Sequence, residues 1–389
     1  MYGGGMALTI DDVVAGARQK TGGLPDPDSD SWRIGLEILL RDHAKADILN
    51  ERGWASMKAR YVDGLATRMQ VDEFIRKNPD VTKAPIKRPV FILGMPRTGT
   101  TMVSYLMDAD PATRSLLKWE AYNVVPPAAA GALRTDPRCL AEVAKDQEII
   151  KAHPTAFASH YEAGDGPTEC VHLVAQDFRS LMLAVLSTTP TYHDWILMCE
   201  MATAFAHRKR VLQILQSTNP GRWVLKMPSD ALFIRTLFET FPDAKVIWTH
   251  RDPYSTFASS VSMRTNGRRM FNKDPDFDYI RQRFPFQMAL HVMRPLQMSR
   301  ERPKDIYSLY YEDLVADPIA AMKKVYAWLG DAWTETAEAR MQQWLRENPQ
   351  GRFGQHKYEL EDWGLSNKDL EPYFHDYLQV HPVAKHRGL

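Results

Sequence analysis

Three cysteines in 389 residues, at positions 139, 170 and 199, are too few and too widely spaced for a disulfide framework or a Cys-x-x-Cys metal site. A reducing compartment suits such usage. Net charge is equally scarce, with 49 Lys and Arg against 48 Asp and Glu, so nothing draws the chain as a whole to nucleic acid or to an anionic membrane. Any basic site has to be local. No run of eighteen apolar residues occurs, and the opening residues, MYGGGMALTIDD, lack the basic and apolar regions of a secretory signal. The expectation is a cytoplasmic protein without a transmembrane segment. No internal repeat is visible, and residues 1–5 receive no role.

The chain does have 44% hydrophobic residues, enough to bury a large core. Residues 11–78 carry a helical pattern, with Tyr61, Leu65 and Met69 at i, i+4 and i+8 and Ser31 placed as an N-cap before Trp32. Four apolar strands are predicted to begin at Pro89, Arg222, Lys245 and Asp305, each followed by a helix. That alternation specifies a three-layer α/β/α fold around a central parallel sheet. Residues 1–88 form a helical lead-in packed on a core of residues 89–389, as one structural unit. A long helix is expected over residues 190–215, with Arg208-Lys209-Arg210 on its solvated face, and another over 231–241, capped by Ser229 or Asp230. Residues 264–283, basic and aromatic, read as a loop, with a helix over 286–300.

The stretch PVFILGMPRTGTTMVSYLM, Pro89 to Met107, carries the most chemistry. A buried strand runs into Gly94-Met-Pro-Arg-Thr-Gly-Thr-Thr101 and then into a helix. Two glycines let backbone N–H groups converge, the helix start adds about half a positive charge, and Thr98, Thr100 and Thr101 add hydroxyl donors. Such a loop cradles phosphate-like oxygens. Gly94 and Gly99 hold the spacing of the nucleotide-triphosphate loop G-x-x-x-x-G-K-[ST], yet Thr100 stands where the Lys belongs. Without that counter-ion, ATP or GTP hydrolysis is disfavoured. The cation has moved into the loop, at Arg97.

With its Pro-Arg-Thr-Gly-Thr-Thr core, this loop resembles the 5′-phosphosulfate loop of sulfotransferases that use 3′-phosphoadenosine 5′-phosphosulfate (PAPS). The resemblance spans residues 89 to about 329 and implies that Gly94, Pro96, Arg97, Thr98, Gly99, Thr100 and Thr101 hold the donor. Leu225-Lys226-Met-Pro228, at a strand's carboxyl end, is similar to the family segment whose Lys reaches the bridging oxygen of the leaving group. Arg251-Asp252-Pro253, with Ser259 eight residues past Arg251, is similar to the family's 3′-phosphate site, where the planar fork of Arg suits phosphate oxygens. Glu120 falls at about the place of a carboxylate that faces the acceptor hydroxyl, and takes the role of general base. His153, His160 and His172 are alternatives for that role; they are not spaced like zinc ligands, and no metal is expected. Pro167-Thr-Glu169-Cys170 resembles a Pro-Glu-Glu-Cys segment, departing at Thr168, and lines the acceptor pocket. A basic, Gly-containing segment near the C-terminus brings Arg352 and His356 to the donor.

The resemblance therefore implies transfer of a sulfuryl group from PAPS to an acceptor hydroxyl, releasing 3′,5′-ADP, with Glu120, Arg97 and Lys226 as the catalytic set. A P-loop kinase or nucleotide hydrolase is the enzymatic alternative, and a non-catalytic adenylate-binding scaffold the other. The segments expected to touch the acceptor, residues 119–127, 157–170 and 263–283, mix aromatic and polar groups. They admit a lipid, a phenol, a sugar or a small metabolite, and the sequence leaves a homo-oligomer open.

Overall fold

A computed structural model describes residues 8–45, 48–152, 162–185, 187–349 and 360–383 of the protein. Its centre is β1, Val90–Gly94, buried along its whole length. β2 is Thr113–Ser115, β3 Arg222–Lys226, β4 Lys245–His250 and β5 Ile306–Tyr310. All pairings are parallel, in the order β2-β3-β1-β4-β5. The sequence predicts four of these strands. The fifth, β2, has only three residues, two of them hydroxylic and one Arg, and no apolar run announces it.

The pleat sends alternate β1 side chains to opposite faces. Phe91 and Leu93 join one apolar cluster while Val90 and Ile92 join another, so helices cover both sides. The first cluster also takes in Val13, Leu36 and Tyr61 from the N-terminal helices α1 (Ile10–Lys20), α2 (Ser31–Lys45) and α3 (Glu51–Lys77). Asn50 caps α3 by accepting from the Gly53 N–H at 2.8 Å. At Gly53 the helix meets the chain so closely that a Cβ would lie 2.0 Å from the Phe271 carbonyl oxygen. Ser31 begins α2, and its hydroxyl donates to Asp177.

Several local expectations are corrected. The long helix over 190–215 is two, Pro190–Met198 and Ala202–Gln216, separated by a short break. Arg208 is fully buried, not solvated: its guanidinium donates to Asp230 Oδ1 at 2.8 Å and lies 4.1 Å over the Phe205 ring. Asp230 thus closes a buried ion pair rather than a helix cap, and a 3-10 turn, Pro228–Phe233, precedes the helix Ile234–Thr240. Arg210 reaches Asp72 of α3 at 3.0 Å. Residues 264–283 are not a loop. The helices Pro253–Phe271 and Phe277–Glu301 together run through most of them, and the second begins nine residues before the predicted start, carrying Pro285 and Pro295 inside it. Among the described residues no helix is long and apolar enough to cross a membrane.

Candidate active site

Three β-strands end side by side at one edge of the sheet, and their continuations build the site. After β1 the chain passes through positive φ at Gly94 (+148°), Arg97 (+71°) and Gly99 (+91°) before α4, Thr100–Asp108, begins. A Cβ at Gly94 would stand 2.6 Å from the Thr249 hydroxyl, so the turn requires glycine there. Thr98 is completely buried; its hydroxyl bonds to the Met95 carbonyl at 2.7 Å and to the Thr249 hydroxyl at 2.6 Å. Thr98 and Gly94 therefore shape the loop from behind instead of offering side-chain groups to a ligand, which corrects the reading of the Thr98 hydroxyl as a donor.

The rest of the loop opens on a cavity of about 430 Å³ lined by Pro96, Arg97, Gly99, Thr100 and Thr101, with Arg251 and Tyr311 also on its wall. Arg97 Nε donates to Ser259 Oγ at 3.2 Å, and Arg251 Nη1 donates to the Arg97 carbonyl at 2.9 Å. The Arg251 guanidinium also stacks 4.2 Å over the Tyr311 ring. Asp252 caps the following helix by accepting from Tyr254 and Ser255 N–H groups, with Pro253 at its first position. Arg97, Ser259 and Arg251, far apart in sequence, thus form one basic cluster.

Lys226 ends β3 and is fully buried. Its Nζ donates to Glu162 Oε1 at 2.7 Å and to Glu169 Oε1 at 3.0 Å. Burial alone would lower the affinity of this amine for its proton, but the two carboxylates outweigh it and hold the pKa above the usual lysine value. Glu169 is fixed by a parallel bridge to Lys226, with the Cys170 N–H donating to the Lys226 carbonyl at 3.0 Å. A second cavity, about 540 Å³, opens on the other side of this pair. Pro96, Glu169, Pro228 and Met263 line both cavities, so the two meet at Glu169.

Glu120 is elsewhere. It is buried in a bidentate pair with Arg114, at 2.9 Å from Nη1 and 2.5 Å from Nη2, and accepts the Leu117 N–H at 3.2 Å. It lines neither cavity, and the expectation that it faces an acceptor hydroxyl is corrected: spacing along the chain placed it near the loop, but the Arg at 114 claims it. His172 does line the second cavity, where burial lowers its pKa to about 4 and keeps the ring neutral. His153, His160, Arg352 and His356 lie outside the described residues. Glu162, which the sequence reading passed over, carries no motif of its own. For Glu169 the sequence implies pocket lining alone, although its motif marks the position.

Residues 89–335 match the model of the sulfotransferase family. The chain belongs to the sulfotransferase family. Over nearly its whole length the sulfotransferase superposes on the crystal structure of sulfotransferase STF9 from Mycobacterium avium, with a TM-score of 0.90, 38% identity and 96% of each chain covered. Sulfotransferase STF1 from Mycobacterium tuberculosis gives a TM-score of 0.83 at 26% identity, covering 95% of this chain and 98% of that one. The omega-hydroxy-beta-dihydromenaquinone-9 sulfotransferase Stf3 of Mycobacterium bovis is 25% identical over 271 residues, 67% of either chain.

Membership makes the protein a transferase of sulfuryl groups with PAPS as its co-substrate. The lining of the first cavity fits such a donor. Gly99 precedes α4 with no side-chain cap, and the first-turn amides, which a helix start leaves without intrahelical partners, belong to residues on the cavity wall. Two guanidinium groups stand beside them. The volume falls within the range of small-molecule sites.

Proposed function

We propose that the first cavity binds PAPS, that the second receives a hydroxyl-bearing small-molecule or lipid acceptor, and that transfer takes place between them at Glu169 and Lys226. The observation that carries this reading is the position of Glu169, on the wall of both cavities and hydrogen-bonded to a Lys buried at the strand end. Bound there, PAPS would supply a sulfuryl group, whose bond to the departing 3′,5′-ADP breaks as the acceptor oxygen bonds to sulfur. Glu169 replaces Glu120 as the base and takes the proton of the acceptor hydroxyl. Lys226 presents its ammonium protons to the oxygen that leaves. Arg97 and the α4 amides hold the charge that develops on the sulfuryl oxygens, and Arg251 with Ser259 takes the 3′-phosphate.

A lipid acceptor is supported by the relative named for a hydroxylated menaquinone and by the apolar share of the second cavity wall. The same reading treats residues 1–88 and 89–389 as one unit, on the strength of their shared apolar cluster and the Arg210–Asp72 pair. It places the reaction in the cytoplasm, where three free cysteines are at home. The test is calorimetric titration with 3′,5′-ADP, 5′-AMP and ATP with Mg²⁺. The expected result is 3′,5′-ADP binding at least about tenfold tighter than 5′-AMP, a gap of about 1.4 kcal/mol. Preference for ATP with Mg²⁺, or no binding at all, would overturn it.

A further inference from the structure

Not every basic group on the wall of the second cavity is paired with a carboxylate among the described residues. Lys118 is neutralised by Asp146 at 2.5 Å and Glu142 at 3.5 Å, while Glu162 and Glu169 share Lys226. Two guanidinium groups are left over. Arg60, on α3, has a buried Nε without a hydrogen-bond partner among the described residues, and its Nη1 donates to the Met182 sulfur at 3.4 Å. Arg264, on the helix Pro253–Phe271, lies 4.1 Å over the Phe284 ring and makes no ion pair or hydrogen bond among the described residues. His172 and His291 on the same wall add no charge, since burial lowers each to about 4.

Guanidinium groups half-buried without a counter-ion are unfavourable unless a ligand completes them. Here they line a chamber whose wall also carries the apolar side chains of Val171, Leu181, Met182, Val185 and Phe271. We propose that the acceptor is an amphiphile that carries an anionic group, a carboxylate or a phosphate, besides its hydroxyl. Arg60 and Arg264 supply the counter-charge, and the apolar wall takes the carbon skeleton. The inference rests on the second cavity being the acceptor chamber. It adds that the N-terminal helices select the acceptor, because α3 contributes Arg60.

The experiment is calorimetric titration of the full chain, saturated with 3′,5′-ADP, with three twelve-carbon probes kept below their micelle concentrations. These are an ω-hydroxy carboxylate, an ω-hydroxyalkyl phosphate and the neutral methyl ester of the carboxylate. At least one anion is expected to bind about tenfold or more tighter than the ester, and whichever does so identifies the head group. In the Arg60→Gln, Arg264→Gln double variant that advantage should shrink to about threefold or less. Equal binding of all three probes by the parent protein, or an undiminished advantage in the double variant, overturns the proposal. If the double variant does not fold, the single variants are titrated, and one of them must lose most of the advantage. Binding of 3′,5′-ADP is measured separately for every protein, so failure of the donor assignment and failure of the anion assignment give different results.

Discussion

Arg251 donates from Nη1 to the carbonyl oxygen of Arg97 at 2.9 Å, across 154 residues of sequence. The group proposed to hold the 3′-phosphate therefore also braces the loop proposed to hold the 5′-phosphosulfate. Replacing Arg251 with Ala removes a charge-assisted bond of about 1.5–3 kcal/mol and should weaken 3′,5′-ADP binding by about ten- to a hundredfold. Arg251→Lys keeps the charge but not the fork and should fall between the two. Calorimetry decides; an Ala variant with the parent's affinity would remove Arg251 from the donor site.

Glu169→Gln should slow turnover by about 10²–10⁴-fold while 3′,5′-ADP affinity stays near that of the parent protein. Steady-state rates on any accepted hydroxyl compound, set beside the titration, separate the two effects. Unimpaired turnover would shift the proton to His172, the other described candidate on that wall.

Glu120→Gln should act on stability instead. The substitution leaves the Arg114 guanidinium buried with a weakened partner, and breaking such a pair costs about 3–5 kcal/mol when one charge is removed outright. Urea denaturation should show a lower midpoint with an unchanged slope, and activity per folded molecule should persist. A stable variant with lost turnover would restore Glu120 to the chemistry.

Acid should destabilise the fold. His43 and His291 are buried, and burial lowers both to about 4. The unfolded chain protonates them near pH 6.5 and the folded chain does not, so the unfolded state binds more protons in between. Stability is then complete above about pH 6.5, falls as the pH drops toward 4, and levels off below that, by up to about 1.4 kcal/mol per pH unit for each histidine. Urea midpoints at pH 7, 6, 5 and 4 check the sign; a midpoint that rises on acidification contradicts it.

Much of the site was legible because it is local. Gly94 through Thr101 announce their loop by glycine spacing and by the Lys missing at position 100, and Lys226 and Arg251 each close an apolar strand. The sheet was legible for the same reason, except for β2, whose three polar residues carry no apolar run although they pair with β3 and Arg114 stacks on Trp223. Pairings across the chain were not legible. Nothing near Glu120 in the sequence says that Arg114 will hold it, and nothing near Glu162 says that Lys226 waits 64 residues later. Arg208 looked solvated because its cluster is basic, whereas Asp230 and the Phe205 ring make its burial tolerable. Residues 264–283 read as a loop for their mix of basic and aromatic residues, yet Arg268 is buried within a helix, where it donates to Thr188 and the Ser187 carbonyl.

The reacting half of the site hangs on strand ends, where Ile92 of β1 pairs with Lys226 of β3 in the hydrogen-bonded ladder, and its spacing is set by backbone. The receiving half is walled mostly by helix side chains, from α3, Val171–Ala175, Leu181–Val185, Pro253–Phe271 and Phe277–Glu301. Exchange of helix side chains can therefore remodel the chamber without shifting the ladder. Descendants of one ancestor could change what they sulfate by substitutions along the chamber-facing sides of these helices, while the transferring apparatus stays inherited intact.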